Sequence, residues 1–228
     1  MQQRHVISTA ARHARSSIAC LLIALVMSRC ASFNRKEQGA IIGVGAGSAV
    51  GAVIGNQTGS TTRGAILGAV VGGVAGTIIG IQMDQQAKEL KQDIPGATVA
   101  RIGEGIQVTF ASGLLYDFDS DVVRAVSAEN LRNLAASLGK YPNTDLLIVG
   151  YTDSEGTSDY NLALSQRRAM AVSSFLANQG VTVLRLRTAG RGEMEPVSTN
   201  DTEVGRQLNR RVEVAIFANA AARASKGN

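Results

Sequence analysis

The strongest constraint on this chain is a period of four. Glycine occupies positions 39, 43, 47, 51 and 55 and, after a polar break, 64, 68, 72, 76 and 80, with Ile, Val, Ala and Leu filling most of the gaps. Each glycine costs an exposed helix about 1 kcal/mol relative to alanine, so a spacing held through two segments has to be offset by close packing. On a helix of 3.6 residues per turn the glycines share one slowly drifting face, where another backbone can approach. Each segment is 17 residues long, about 25 Å as a helix, and "NQTGSTTR" at 56–63 supplies a polar turn. The two segments predict an antiparallel helical hairpin over 39–81, glycine face to glycine face, with Ile42, Val50, Ile54, Ile66, Leu67, Val70 and Ile79 turned outward. Those apolar residues need a solvent other than water. Insertion in a membrane meets that need, and so does burial against further copies in a homo-oligomer.

Ahead of the hairpin, residues 1–17 are polar and carry His5, Arg12 and Arg15, and "IACLLIALVMS" at 18–28 is an apolar run of signal-peptide length. It is shorter than the roughly 20 residues a spanning helix needs. Residues 1–29 read as a secretory signal, with a linker over 30–38. Both histidines and both cysteines, Cys20 and Cys30, fall within the first 30 residues. Removing the leader leaves no imidazole and at most one thiol, which excludes Ser/His and Cys/His catalysis and His/Cys metal sites from the rest. No cofactor and no metal are expected. The net charge of +5 owes much to the leader and the extreme C-terminus, and without basic residues interleaved with aromatics it does not point to nucleic acid.

From residue 82 onward both charge signs mix. A polar helix near 82–92 ends at Pro95-Gly96, and 82–104 reads as helix and linker. "GIQVTF" (105–110) and "LLYDFD" (114–119) read as strands, and Leu131, Leu134 and Leu138 recur at helical spacing after Ser127. "DLLIVGY" reads as a buried strand, 159–178 as a helix with Leu162, Ala169, Val172, Phe175 and Leu176 on one side, and "RLRTAGRG" and "NRRVEVAIF" as two more strands. Interleaved elements of this size predict an α+β fold, a two-layer α/β sandwich with helices on one face of a mixed sheet. It runs over 105–218, with a disordered tail at 219–228.

The blocks "LLYDFDS", "LIVGYTDSEGTSDYNLALSQRRAMAV" and "AGRGEMEPVSTNDTEVGRQLNRRVEVAI" resemble, in order and spacing, the OmpA-like peptidoglycan-binding domain, whose fold is of βαβαβ type. With its leader and glycine segments the whole chain resembles the OmpA-family outer-membrane lipoproteins of Gram-negative bacteria. "VMSRC" at 26–30 is similar to a lipoprotein cleavage box, with Arg29 where a small residue is usual. That makes Cys30 the candidate for lipidation and outer-membrane lipid a partner.

The resemblance implies noncovalent binding of peptidoglycan through the diaminopimelate of its peptide stem, tethering the outer membrane to the wall from its periplasmic face. It carries the aspartate of the family's "HTD" block onto Asp153 and the arginine of its "LSxxRA" block onto Arg168. A carboxylate would pair with the ligand's ammonium, and a planar guanidinium with its carboxylate. From spacing alone, Asp153 could equally cap its loop, and Arg168 could pair with Asp153 or Asp159. Thr152, Asn209 and Arg210 are the implied neighbours, Thr157 to Tyr160 the rim, and Tyr151 stands where histidine is usual. Arg211, on the other side of a period-two strand, is expected in solvent. Asp117, Asp119 and Asp121 lack the glycine and distal glutamate of a calcium loop. No turnover is expected. Two rivals remain open: a wall hydrolase pairing Asp117 or Asp119 with Asp153, and a membrane-inserted glycine-zipper oligomer or pore scaffold located at the wall by its C-terminal domain.

Overall fold

The computed structural model of the chain describes residues 59–71, 77–117 and 119–224. The leader, Cys30, the first glycine segment and the end of the tail lie outside the described residues, and with them the lipidation and hairpin expectations. In chain order the elements are α1 (Thr61–Val71), α2 (Thr77–Asp93), β1 (Thr98–Ile102), β2 (Gly105–Ala111), the single turn α3 (Ser112–Leu115), α4 (Ala128–Lys140), β3 (Thr144–Gly150), α5 (Ser158–Asn178), β4 (Leu186–Gly190), α6 (Glu203–Asn209), β5 (Arg211–Ala218) and α7 (Ala220–Ala224).

The strands form one sheet in the order β1-β2-β5-β3-β4. The last strand in sequence lies at its centre, antiparallel to β2 and β3, and all eight of its residues are buried. Only β3 and β4 pair in parallel, and α5 supplies the long crossover that a parallel pair needs. Side-chain alternation sorts the two faces. Val212, Val214 and Ile216 of β5 join Ile106, Val108, Phe110, Leu146 and Ile148 against α2, α4 and α5 in the main core, while Ala215 and Phe217 point the other way.

Two glycines let α5 lie almost on the sheet. A Cβ on Gly150 would stand 2.1 Å from the Ser165 carbonyl oxygen, and one on Gly190 would stand 2.6 Å from the Gln166 nitrogen. Backbone cannot yield as a side-chain end can. Gly150→Ala is therefore expected to lose about 1–3 kcal/mol or more by overpacking. Gly139→Ala, where a Cβ meets nothing within 4 Å, should melt at or above the wild-type temperature, and thermal unfolding of the two variants side by side checks the contrast.

The α+β class is as expected, with three local corrections. "LLYDFD" is not a strand: it closes the turn α3, after which Tyr116 makes a single bridge to Val123. The stretch expected as helix and linker supplies β1, which pairs along β2 from Thr98↔Thr109 to Ile102↔Gly105, and most of α2, which with Ile94 just past its end buries Ile79, Met83, Ala87 and Leu90 in the main core. Helices also cover both faces. α1 lies on the second face, where Ile66 is 0% exposed against Ala215 and Phe217. Ile66 and Ile79, expected to turn outward to a membrane or to further copies, are thus core residues, because each has a sheet or helix to pack on that the glycine period did not reveal. Among the described residues no helix is long and apolar enough to cross a membrane.

Candidate functional site

The C-terminal end of β3 and the first half of α5 line an open cavity of about 380 Å³, bounded also by the α3 turn and by Glu203 and Arg210 at the two ends of α6. β3 leads through Tyr151 to Thr152 and Asp153. Thr152 gives its N–H to Gly192 O at 2.9 Å and its hydroxyl to Asp153 O at 2.9 Å. The Asp153 carboxylate, on a residue 6% exposed, accepts the Glu155 N–H at 3.1 Å on one oxygen and Arg210 Nη1 at 2.5 Å on the other. Both the loop-capping contact and an ion pair are therefore present, but the paired arginine is Arg210.

Arg168 reaches the cavity from α5. Its Nε donates to Ser120 O at 2.9 Å, its guanidinium carbon lies 5.3 Å from the centroid of the Tyr116 ring, and Tyr116 donates its hydroxyl to Arg168 O at 2.6 Å. Among the described residues no carboxylate pairs with Arg168, neither Asp153 nor Asp159, and its two terminal nitrogens have no hydrogen-bond partner. Burial pulls this guanidinium below the ordinary arginine value, against the opposite pull of Tyr116, Asp119, Tyr160 and Asp121. A cation short of solvent and of partners favours an incoming anion.

Arg210 closes the opposite wall, also gripping Glu203. Burial alone would lower its pKa, but the hydrogen bonds to Glu203 and Asp153 outweigh it and leave the value raised. Glu203 in turn is held below the usual carboxylate range, first by Arg210 and then by Arg206. The rim follows from α5's start, where Thr157 accepts the Tyr160 N–H at 3.3 Å. The Tyr160 hydroxyl donates to Asp119, which sits at φ +56°.

Three expected roles differ. Asn209 does not line the cavity. It is fully buried and staples the loop before α6, accepting from Val197 and Ser198 N–H at 2.9 and 3.0 Å and donating to Ser198 O and Asn200 Oδ1 at 2.9 and 2.8 Å. Arg211 is not in solvent but 3% exposed. Its Nε meets Glu213 Oε1 at 2.7 Å, and its Cζ stands 3.7 Å over the centroid of Tyr151. It lies on the face opposite the cavity, as its register requires, and α1 covers that face. Tyr151 is buried there too, so its departure from histidine does not touch the cavity.

Asp117, Asp119 and Asp121 turn to separate partners, with Arg124 3.4 Å from Asp117, Tyr160 on Asp119 and Arg167 3.0 Å from Asp121, and among the described residues no cluster of metal-ligating side chains occurs. Sequence reasoning missed Tyr116, Glu203 and Ser112 as lining residues. The Ser112 hydroxyl is buried without a hydrogen-bond partner among the described residues, a feature no residue pattern displays.

A profile of the OmpA family matches residues 115–210 and one of the YMGG-like Gly-zipper matches residues 13–84. The peptidoglycan-associated lipoprotein of Brucella melitensis biotype 1 is 37% identical over 116 residues, 51% of this chain and 69% of that protein. The chain belongs to the OmpA family. The OmpA match takes in Thr152, Asp153, Arg168, Asn209 and Arg210, whereas α1 and the start of α2 fall in the zipper match. The Escherichia coli K12 protein named "Probable lipoprotein YiaD" is 37% identical over 139 residues, 60% of this chain and 64% of that relative, so this chain spans less than two thirds of its length. Among solved structures, the OmpA-like fold recurs in the cell wall anchor of the T6SS from Pseudomonas aeruginosa, at 32% identity and a TM-score of 0.53 over 59% of this chain and 97% of that one.

Proposed function

We propose that the cavity between β3, α5 and α6 binds the zwitterionic diaminopimelate of the peptidoglycan stem, noncovalently and without turnover, and that the protein so tethers the outer membrane to the wall from its periplasmic face. The observation that carries this reading is the asymmetry of the two charged walls. Asp153 and Arg168 face one cavity without pairing to each other, so a ligand with an ammonium and a carboxylate can engage both. Two relatives are named for association with the wall, one a peptidoglycan-associated lipoprotein and one a cell wall anchor. The hydrolase rival needs two carboxyls turned to one substrate. Asp117, Asp119 and Asp153 do all line the cavity, but each lies against a donor of its own, Arg124, Tyr160 and Arg210, and none of them forms a carboxyl–carboxyl pair. Anchorage through acylated Cys30 in outer-membrane lipid, and a homo-oligomer through the glycine zipper, complete the proposal. A single small zwitterion gives modest affinity, and many copies on one wall would hold by avidity. The test is sedimentation of the full chain with purified sacculi, with and without free diaminopimelate. Co-sedimentation that the free amino acid competes away is the expected result, and a chain left in the supernatant overturns the reading.

A further inference from the structure

The second face of the sheet carries charge that wall binding does not use. Arg211 and Glu213 of β5 are both buried, and Arg191 and Glu195 in the loop after β4 pair at 3.4 Å. Arg211 also donates to Glu195 O at 3.1 Å. Such a cluster is costly in a low-dielectric interior unless its members are paired, and further partners come from α1. Thr61 gives Glu195 its N–H at 2.9 Å and its hydroxyl, Thr62 gives its hydroxyl to Glu213, and Arg191 Nε donates to Thr61 Oγ1 at 2.7 Å. The carboxylates also meet the positive end of the helix. Further along α1, Ile66 fits a gap only glycine leaves, since a Cβ on Gly105 would lie 2.6 Å from Ile66 Cγ2. Ala65 and Ala69 pack in the same cluster as Ala215 and Phe217. The seat matches the helix, polar half to polar half and apolar to apolar.

The same charged cluster is bonded to the walls of the cavity. Tyr151, directly before Thr152 and Asp153, donates its hydroxyl to Glu195 Oε2 at 2.9 Å, stacks under Arg211 and gives its N–H to Arg211 O at 2.9 Å. Arg211 follows Arg210, whose guanidinium holds Asp153. Glu195 lies on the loop that Asn209 staples at Val197 and Ser198.

We propose that α1 is a latch on the wall-binding site: docked, it fixes Glu195, Glu213 and Arg211 and so keeps Asp153 and Arg210 in place, and released, it loosens them and weakens stem-peptide binding. The latch rests on the wall-binding reading. It also has a competitor within the chain. α1 and α2 lie on opposite faces of the sheet, so one unbroken helix through the second glycine segment would have to lift α1 from its seat. Docking of α1 and an unbroken helix over 64–80 exclude each other.

The test uses the full chain. Thr61→Val with Thr62→Val removes both hydroxyls at nearly constant shape, and Ile66→Ser loosens the apolar half without touching the charges. In each, the α1 amides are expected to exchange faster with deuterium, and affinity for a diaminopimelate-containing stem peptide to fall about fivefold or more, the low end of site-to-site couplings. Thr61→Ser with Thr62→Ser restores both. Because coupling is mutual, saturating peptide slows α1 exchange in the wild-type chain. Fast α1 exchange with wild-type affinity, α1 exchange indifferent to peptide, or variants whose α1 stays protected each overturn the latch and leave wall binding standing. A wild-type chain that binds no peptide overturns the wall reading itself, and the latch with it.

Discussion

Arg211→Ala is expected to destabilise the folded domain by about 3–5 kcal/mol, the usual cost of removing one partner from a buried ion pair. The arginine is held on three sides, by Glu213, by the Tyr151 ring and by the carbonyls of Asn209 and Glu195. Its loss leaves the Glu213 carboxylate buried with the Thr62 hydroxyl as its remaining side-chain donor among the described residues, and it leaves the Tyr151 ring beside the carboxylates of Glu195 and Glu213 without the cation that balances them. Arg211→Lys should recover only part of the loss, because an ammonium cannot both stack on the ring and reach two acceptors in a plane. The comparison is Arg132→Ala, which removes an exposed pair with Glu129 on α4 and should cost under about 1 kcal/mol. Urea unfolding of the three variants measures the contrast. If Arg211→Ala unfolds at the same midpoint as Arg132→Ala, the second face is not the loaded surface described above. A change in wall binding by Arg211→Ala would follow from its fold and its link to Asp153, so this residue cannot serve as a neutral reference for the cavity.

Arg211 also shows where reading a sequence stops. Period-two alternation put it on the face away from Arg210, and that is where it lies. What covers that face is a separate question, and the answer is α1, whose Thr62 bonds Glu213 across 151 positions of sequence. The core face of α2 was open to inspection, since Ile79, Met83, Ala87, Leu90 and Ile94 recur at helical spacing. The glycine period, a stronger pattern, drew the boundary at 81 and divided that face between two supposed units. Asn209 is a different failure. Nothing local distinguishes an asparagine beside a ligand from one whose amide satisfies two N–H groups and a carbonyl of its own loop. The apolar start of "LLYDFD" suits a strand, yet Tyr116 is drawn under α5 by its bond to Arg168 O. That Asp153 and Arg168 share one cavity was foreseen only through family resemblance. Spacing alone left a salt bridge between them open, and the pairing of Asp153 with Arg210 is a long-range contact that no local pattern contains.

Asp153→Asn and Arg168→Lys are each expected to weaken sacculus binding by over tenfold. Removing one member of a desolvated charged pair costs about 2–5 kcal/mol, and the cavity is open enough that the lower end applies. Asparagine keeps the size of the side chain and an oxygen for the Glu155 N–H, but offers no charge to an ammonium. Its local structural cost is small, because Arg210 retains Glu203. Lysine keeps the charge of Arg168 but lacks the planar fork for a carboxylate, and its ammonium cannot both replace the Nε bond to Ser120 O and point two donors into the cavity. Arg132→Ala, exposed on α4 and outside the cavity lining, is the reference and should sediment with the wall as the wild-type chain does. Thermal melts run beside the pull-downs separate lost binding from lost fold. If Asp153→Asn and Arg168→Lys melt normally and both sediment with sacculi at wild-type levels, the two charged walls are not where the stem peptide is held.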